Sequence, residues 1–272
     1  MPSYAIIGGS RGIGLEFVRQ LALNEENTVF VTVRNKDKST HLRATVAQLP
    51  HKNVRILQAD VVDKQAIKNA ATELGRLSGG GLDILIYNAA RLEFDNLLRG
   101  PGDYDNDEEL DEEFIQSFKV NVLGPIHIVN NFLPLLRKGS AKKIIILGSE
   151  GGERSFVQHV HISGLGAYGV TKAAEHMVAT KYAVALENEG FTVVSVSPGF
   201  VDVSGTNSEP LSEGDASKFN DLVVQHFAAF PNAGTLLTPE QAVKRLLLDI
   251  NNIGPAESGT FRPYPEFDTN KR

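Results

Sequence analysis

The chain has 272 residues, 42% of them hydrophobic and 22% charged, the balance of a globular protein that can bury a large core without cross-links. It contains no Cys, which excludes disulfides, thiolate metal sites and a Cys nucleophile, and fits a reducing compartment such as the cytoplasm. A net charge of -6 argues against a general nucleic-acid-binding face, and no apolar run reaches the length of a membrane span.

Strand and helix signals alternate from end to end. Residues 4–7 form a short apolar run that begins too early to leave room for a leader peptide, and it stops at glycines. Residues 14–22 carry helical spacing, with Leu15, Val18, Leu21 and Ala22 on one face. Further strands are expected over 28–33, 54–58, 82–87, 143–147 and 191–197, the last stopped by Pro198-Gly199. Helices are expected over 64–77, 109–123, 126–136, 167–188 and 239–251. Strands separated by helices pair in parallel through right-handed crossovers. The expected architecture is α/β: one doubly wound unit over 1–272, a parallel sheet of about seven strands with helices on both faces.

The first turn reads Ile7-Gly8-Gly9-Ser10-Arg11-Gly12-Ile13-Gly14. Glycines let a backbone approach a pyrophosphate, and a helix N-terminus offers it unpaired N–H groups. A strand before and a helix after put this turn in the right context, so Gly8, Ser10, Arg11, Gly12, Ile13 and Gly14 are candidate cofactor residues. The turn resembles the Thr-Gly-x-x-x-Gly-x-Gly signature of the short-chain dehydrogenase/reductase family, with Ile7 where that Thr usually stands. That Thr braces the turn in the family, so another brace is expected here.

The resemblance implies a Rossmann fold and a nicotinamide cofactor. An NAD site usually presents a carboxylate at the end of the second strand. Here the strand ends Thr32-Val33-Arg34-Asn35-Lys36, with no carboxylate before Asp37. A guanidinium at Arg34, with Arg11 in the turn, suits the 2′-phosphate of NADP(H). Asp60, with Val61, resembles the family's adenine-contacting Asp. Asn88-Ala89-Ala90 resembles its Asn-Ala-Gly motif, with Ala90 replacing Gly.

Tyr168 and Lys172 stand four apart on an expected helix, so they share a face. An ammonium beside a phenol favours phenolate and is expected to draw the Tyr168 pKa down from ~10 toward neutrality. Such a Tyr can give a proton to a carbonyl oxygen or take one from an alcohol. In the family a Ser after the preceding strand completes the site. Ser149 is the expected member, because a strand end is rigid and the segment after it reads as an insertion; Ser155 matches by sequence distance from Tyr168, and Ser163 is a further rival. Asn121 resembles the helix Asn that completes a water relay to Lys. Pro198, Gly199 and Val201 resemble the segment beside the nicotinamide, with Val203 where a Thr is usual. Lys172 is also expected at the nicotinamide ribose.

Residues 203–236 are expected to form a substrate lid, with Phe200, Phe219, Phe227 and Phe230 either lining a pocket or packing as core. Ser258-Gly259-Thr260-Phe261 resembles the ending of the C-factor/sniffer-like carbonyl reductases. No metal site is expected: the acidic run 103–113 departs from a calcium loop at Glu108 and Phe114, and His159 and His161 lack further ligands. The resemblance therefore implies hydride transfer between NADP(H) and a small-molecule carbonyl or alcohol, with no nucleic-acid or membrane partner. Relatives pair as homodimers or homotetramers through two long helices, while some reductases with an insertion before the Tyr stay monomeric. A non-catalytic dinucleotide-binding regulator and a cofactor-assisted epimerase or dehydratase are the alternatives on the same fold.

Overall fold

The computed structural model describes residues 1–92, 94–206 and 212–269. In chain order, β1 (Ser3–Ile7) leads through α1 (Gly12–Ala22) to β2 (Thr28–Val33), and α2 (Thr40–Gln48) to β3 (Val54–Gln58). Next come α3 (Lys64–Ser78), β4 (Ile84–Tyr87), α4 (Phe94–Leu97), α5 (Asp107–Phe118) and α6 (Gly124–Leu136). They are followed by β5 (Lys143–Leu147), α7 (Arg154–Val160), α8 (Gly166–Leu186), β6 (Thr192–Val196), α9 (Glu213–Ala229), α10 (Pro239–Asn252) and β7 (Phe261–Arg262).

The strands form one parallel sheet in the order β3-β2-β1-β4-β5-β6-β7. Side chains alternate between its faces. Ile7, Tyr87, Ile146 and Val193 point to one side and pack with Ile67 of α3, Phe132 of α6 and Ala179 of α8. Ile6, Val31, Ile86, Ile145 and Val194 point to the other and pack with Phe17 of α1 and Leu246 of α10. Both faces are covered, which is why these strands read as unbroken apolar runs. Chain direction reverses its march across the sheet between β1 and β4. Crevices at such a switch point, beyond the carboxyl ends of the strands, are where open α/β sheets bind ligands.

The helix expected over 109–123 does not end there. α5 passes into a π-helical turn, Lys119–Leu123, and then into α6. Pro125 has no N–H to give the Asn121 carbonyl, the bond that an unbroken α-helix would make, and the ladder loosens at that point. The segment expected as a lid is largely the helix α9, capped by the Ser212 hydroxyl, which accepts from the Asp215 N–H at 3.1 Å; residues 207–211 of it lie outside the described residues. Phe230 is buried with Phe156, Val160 and Phe267. Phe200 packs edge-on against Phe219 and stacks on Phe227. These aromatics act as core.

Asp83, just before β4, clamps two chain segments. Its carboxylate accepts from the backbone and hydroxyl of Ser3 at 2.8 Å each, and from those of Ser140 at 2.7 and 2.8 Å. Burial alone would raise its pKa, but the four bonds outweigh it and hold the carboxyl at about 2. The unfolded value is about 3.9. A carboxyl depressed by folding adds stability above the unfolded pKa and loses it as pH falls through the folded one. Asp83→Asn is therefore expected to cost about 2 kcal/mol at neutral pH, with the difference from wild type vanishing as pH falls from about 4 to about 2. Urea unfolding of both proteins across that range checks it; a pH-independent gap would contradict the clamp.

Candidate active site

The glycine turn shows how the missing Thr is replaced. The Gly8 N–H donates to the Thr32 carbonyl at 3.2 Å and the Thr32 hydroxyl at 3.3 Å, and the Gly9 N–H donates to the same carbonyl at 3.1 Å. From the other side the Asn88 amide donates to the Gly8 carbonyl at 2.6 Å. Thr32 on β2 and Asn88 after β4 thus brace the turn that Ile7 cannot. Gly12 has φ +55° at the start of α1, a conformation that suits glycine. Gly14 is required for a different reason: a β-carbon there would run into the Gly8 carbonyl and the Asn88 amide. Its role is close packing of helix on strand.

A cleft of about 820 Å³ crosses the carboxyl edge of the sheet. It runs from β2 past β1 and β4 to β5, three strand intervals or roughly 14 Å. Arg11, Arg34 and Lys38 line the β2 end. Gly8, Ser10, Gly12 and Ile13 line the turn, with Asp60, Val61, Asn88 and Ala89 beside them. Tyr168, Lys172 and Pro198 line the β5 end. This donor set fits a dinucleotide: cations at one end, a helix N-terminus in the middle, and a phenol with an ammonium at the other.

Some expected contacts stand away from the cleft. Gly199 (φ +83°) is enclosed by Tyr264 and Leu237, and Val201 forms a bridge to Leu237. Neither lines the cleft; nor do Gly14, Asn121, Ser149, His159 or His161. Lys38, unmarked in the sequence, adds a cation to the cleft two residues beyond the strand-end motif. Val203 packs against Gly12, and the Thr206 hydroxyl accepts from the Gly12 N–H at 2.9 Å.

Tyr168 and Lys172 lie on α8, with the Lys172 nitrogen 5.6 Å from the Tyr168 ring centre. Ser149 follows β5, and its hydroxyl is close enough to the Tyr168 phenol to lower the phenol's proton affinity. That hydroxyl also accepts from the Gly151 N–H at 3.1 Å, and the Ser149 N–H reaches Nε2 of His176 at 3.5 Å. Ser155 lies on α7 and accepts from the Thr269 hydroxyl at 2.8 Å, on the wall of a second cavity. Ser163 is exposed. Of the three serines the structure brings Ser149 to Tyr168.

Asn121 is fully buried in the π turn. Its amide donates to the Thr171 hydroxyl at 2.9 Å, and its carbonyl oxygen accepts from the Arg91 N–H at 2.8 Å. Thr171 in turn donates to the Tyr168 carbonyl at 2.9 Å, so Asn121 is pinned to the turn of α8 that separates Tyr168 from Lys172. Glu150, unmarked in the sequence, ties the strand ends together. It accepts from the Ser197 hydroxyl and the Tyr264 N–H, both at 2.6 Å, and burial raises its pKa despite these bonds.

The expected fall of the Tyr168 pKa toward neutrality is not what the surroundings produce. Burial is the largest influence and pushes the phenol above its ordinary value; the charge of Lys172 and the nearby Ser149 hydroxyl pull against it without reversing it. For Lys172 burial works downward, and its neighbours Glu175 and Tyr168 outweigh it, leaving a firmly held ammonium.

Over residues 4–213 the chain matches a profile of the short chain dehydrogenase family. It belongs to that family. The short chain dehydrogenase virK of Hypocrea virens is 38% identical over 275 residues, covering 100% of this chain and 99% of its own. The short-chain dehydrogenase/reductase atnB of an Arthrinium species is 36% identical over 264 residues, 95% and 96% of the two chains. The NADPH-bound carbonyl reductase from chicken fatty liver superposes with a TM-score of 0.76 at 25% identity, over 97% of this chain and 91% of the other. Sniffer, a carbonyl reductase of D. melanogaster, shares the fold with a TM-score of 0.74 at 23% identity, over 97% of each. The chain is accordingly an oxidoreductase of Rossmann fold, in a short-chain dehydrogenase family that works with nicotinamide cofactors on small molecules. Among the described residues no helix is long and apolar enough to cross a membrane.

Proposed function

We propose that this short-chain dehydrogenase is an NADP(H)-dependent carbonyl reductase or alcohol dehydrogenase of the C-factor/sniffer-like kind, acting in the cytoplasm as one Rossmann-type unit. The observation that carries the reading is Tyr168 with Lys172 one helical turn away, its ammonium 5.6 Å from the phenol ring, at the end of a cleft whose other end opens on Arg34.

Gly12 and Ile13 at the α1 N-terminus, with Gly8 and Ser10, would hold the pyrophosphate. Arg11 and Arg34, joined by Lys38, would hold the 2′-phosphate. Asp60 and Val61 would face the adenine, and Asn88, Ala89, Pro198 and Lys172 the nicotinamide half. Bound there, the reduced nicotinamide supplies the hydride. Tyr168 holds the proton at its phenol oxygen and gives it to the carbonyl oxygen of the substrate. Ser149 donates a hydrogen bond that orients the same oxygen. Lys172 stabilises the phenolate left behind. The Asn121 side chain is committed to Arg91 and Thr171, so its part in a water relay to Lys172 would fall to its main-chain carbonyl, the one Pro125 leaves without an α-helical donor. For alcohol oxidation the proton steps run backwards.

NADPH binding by fluorescence, followed by NADPH consumption against a panel of ketones and aldehydes, tests the reading. Binding with turnover of some panel members is expected; a protein that binds neither nicotinamide cofactor would end it. Ile115 and Phe118 on α5 and Val170, Met177 and Val184 on α8 are exposed, an apolar surface suited to a homodimer or homotetramer through these helices. The solution mass by light scattering distinguishes these from a monomer.

A further inference from the structure

The face of α8 that carries Tyr168 and Lys172 carries a third ionisable residue, Glu175. Positions 168, 172 and 175 follow one another at helical spacing. Glu175 is 0% exposed and Lys172 2%. The Lys172 ammonium donates to Glu175 Oε2 at 2.6 Å and to the Leu147 carbonyl at 2.6 Å. An ammonium has three donors, so two are spent on these anchors and one is left for the Tyr168 side. The second carboxylate oxygen, Oε1, has no hydrogen-bond partner. A carboxylate in an apolar helix–sheet interface is costly unless it is paired, and Leu or Val would fill the space more cheaply.

We propose that Glu175 is a positioning residue for the proton transfer: it fixes the Lys172 ammonium against β5 and sets a negative charge one turn further along α8 from the Tyr168–Lys172 pair. This rests on the reading of Tyr168 as the proton donor. Three ionisable groups are coupled to Glu175: Lys172 and Tyr168 on its own helix, and Tyr87 from β4. From β5 the group that meets the pair is the uncharged Leu147 carbonyl. Burial pushes the Glu175 carboxyl up, with the Lys172 ammonium opposing. Its effect on Tyr168 is to raise the phenol's proton affinity.

The sign follows directly. Removing the negative charge favours phenolate, so Tyr168 ionises at lower pH. In Glu175→Gln, which keeps an acceptor for Lys172, ionisation of Tyr168 is expected to move down by about one pH unit, tenfold in its acid constant. The chain has no Trp and six Tyr, so tyrosinate absorbance reads this on the protein without cofactor; subtracting Tyr168→Phe isolates the residue. The limb on which carbonyl reduction falls with rising pH should move by the same amount. Glu175→Leu, which removes the acceptor too, should weaken NADPH binding about tenfold, whereas Glu175→Gln stays close to wild type. An unmoved or upward-moved Tyr168 ionisation in Glu175→Gln overturns the proposal, whether or not the leucine variant folds. If the wild type turned over no carbonyl, the reading of function would fail, while the absorbance titration would still decide the role of Glu175.

Discussion

Tyr168→Phe is expected to lower kcat for carbonyl reduction by about 10²- to 10⁴-fold, the usual contribution of a positioned general acid, with NADPH affinity nearly unchanged. Phe keeps the ring on α8 and removes only the phenol oxygen. The cations and the glycine turn, at the other end of the cleft, are unaltered. Lys172 keeps its bonds to Leu147 and Glu175, so the ammonium is held where it stands. The signature is a fall in kcat without a matching rise in cofactor Kd. Steady-state kinetics beside a fluorescence titration measures both, and turnover within a few-fold of wild type would take the proton from Tyr168 and give it to another group.

Arg34→Ala should raise the KM for NADPH by about 10- to 100-fold, the worth of a charge-assisted bond to a phosphate, and leave that for NADH almost as it was. Arg34 is exposed at the end of β2, where the ribose of the adenine half is expected, and nothing on β2 competes for an anion. The loss should be smaller at high salt, because an exposed charge pair is screened. Arg11 and Lys38 line the same end and keep part of the attraction, so the preference for NADPH narrows and need not invert. Equal losses for the two cofactors would mean that Arg34 holds the turn and does not read the 2′-phosphate.

The parallel sheet was legible because strands buried on both faces must be apolar throughout. β2 and β5 lie where their β-branched runs put them. α2 was not legible, since Leu42 is its one buried residue and a helix with so narrow a stripe leaves no periodic pattern. α9 escaped because it is packed largely through aromatics and His226, whose imidazole burial holds neutral with a pKa of about 4. In the site, motif spacing marked Tyr168, Lys172 and the glycine turn. It could not choose between Ser149 and Ser155, since sequence distance says nothing about the path of the intervening chain. Thr32, Glu150 and Glu175 were silent for another reason: their importance lies in partners from remote strands, which no local window contains.

Ser149 and Tyr168 come from the end of β5 and the start of α8, and between them the chain makes an excursion through α7. That excursion rests on Phe156 and Val160 against Phe230 and Phe267, a layer separate from both sheet faces. The excursion is tied to α8 at its start, where Gly152 packs on the backbone of Lys172 and Ala173 and Glu153 pairs with His176, so change that spares both hydroxyls is expected only further out, in α7 itself.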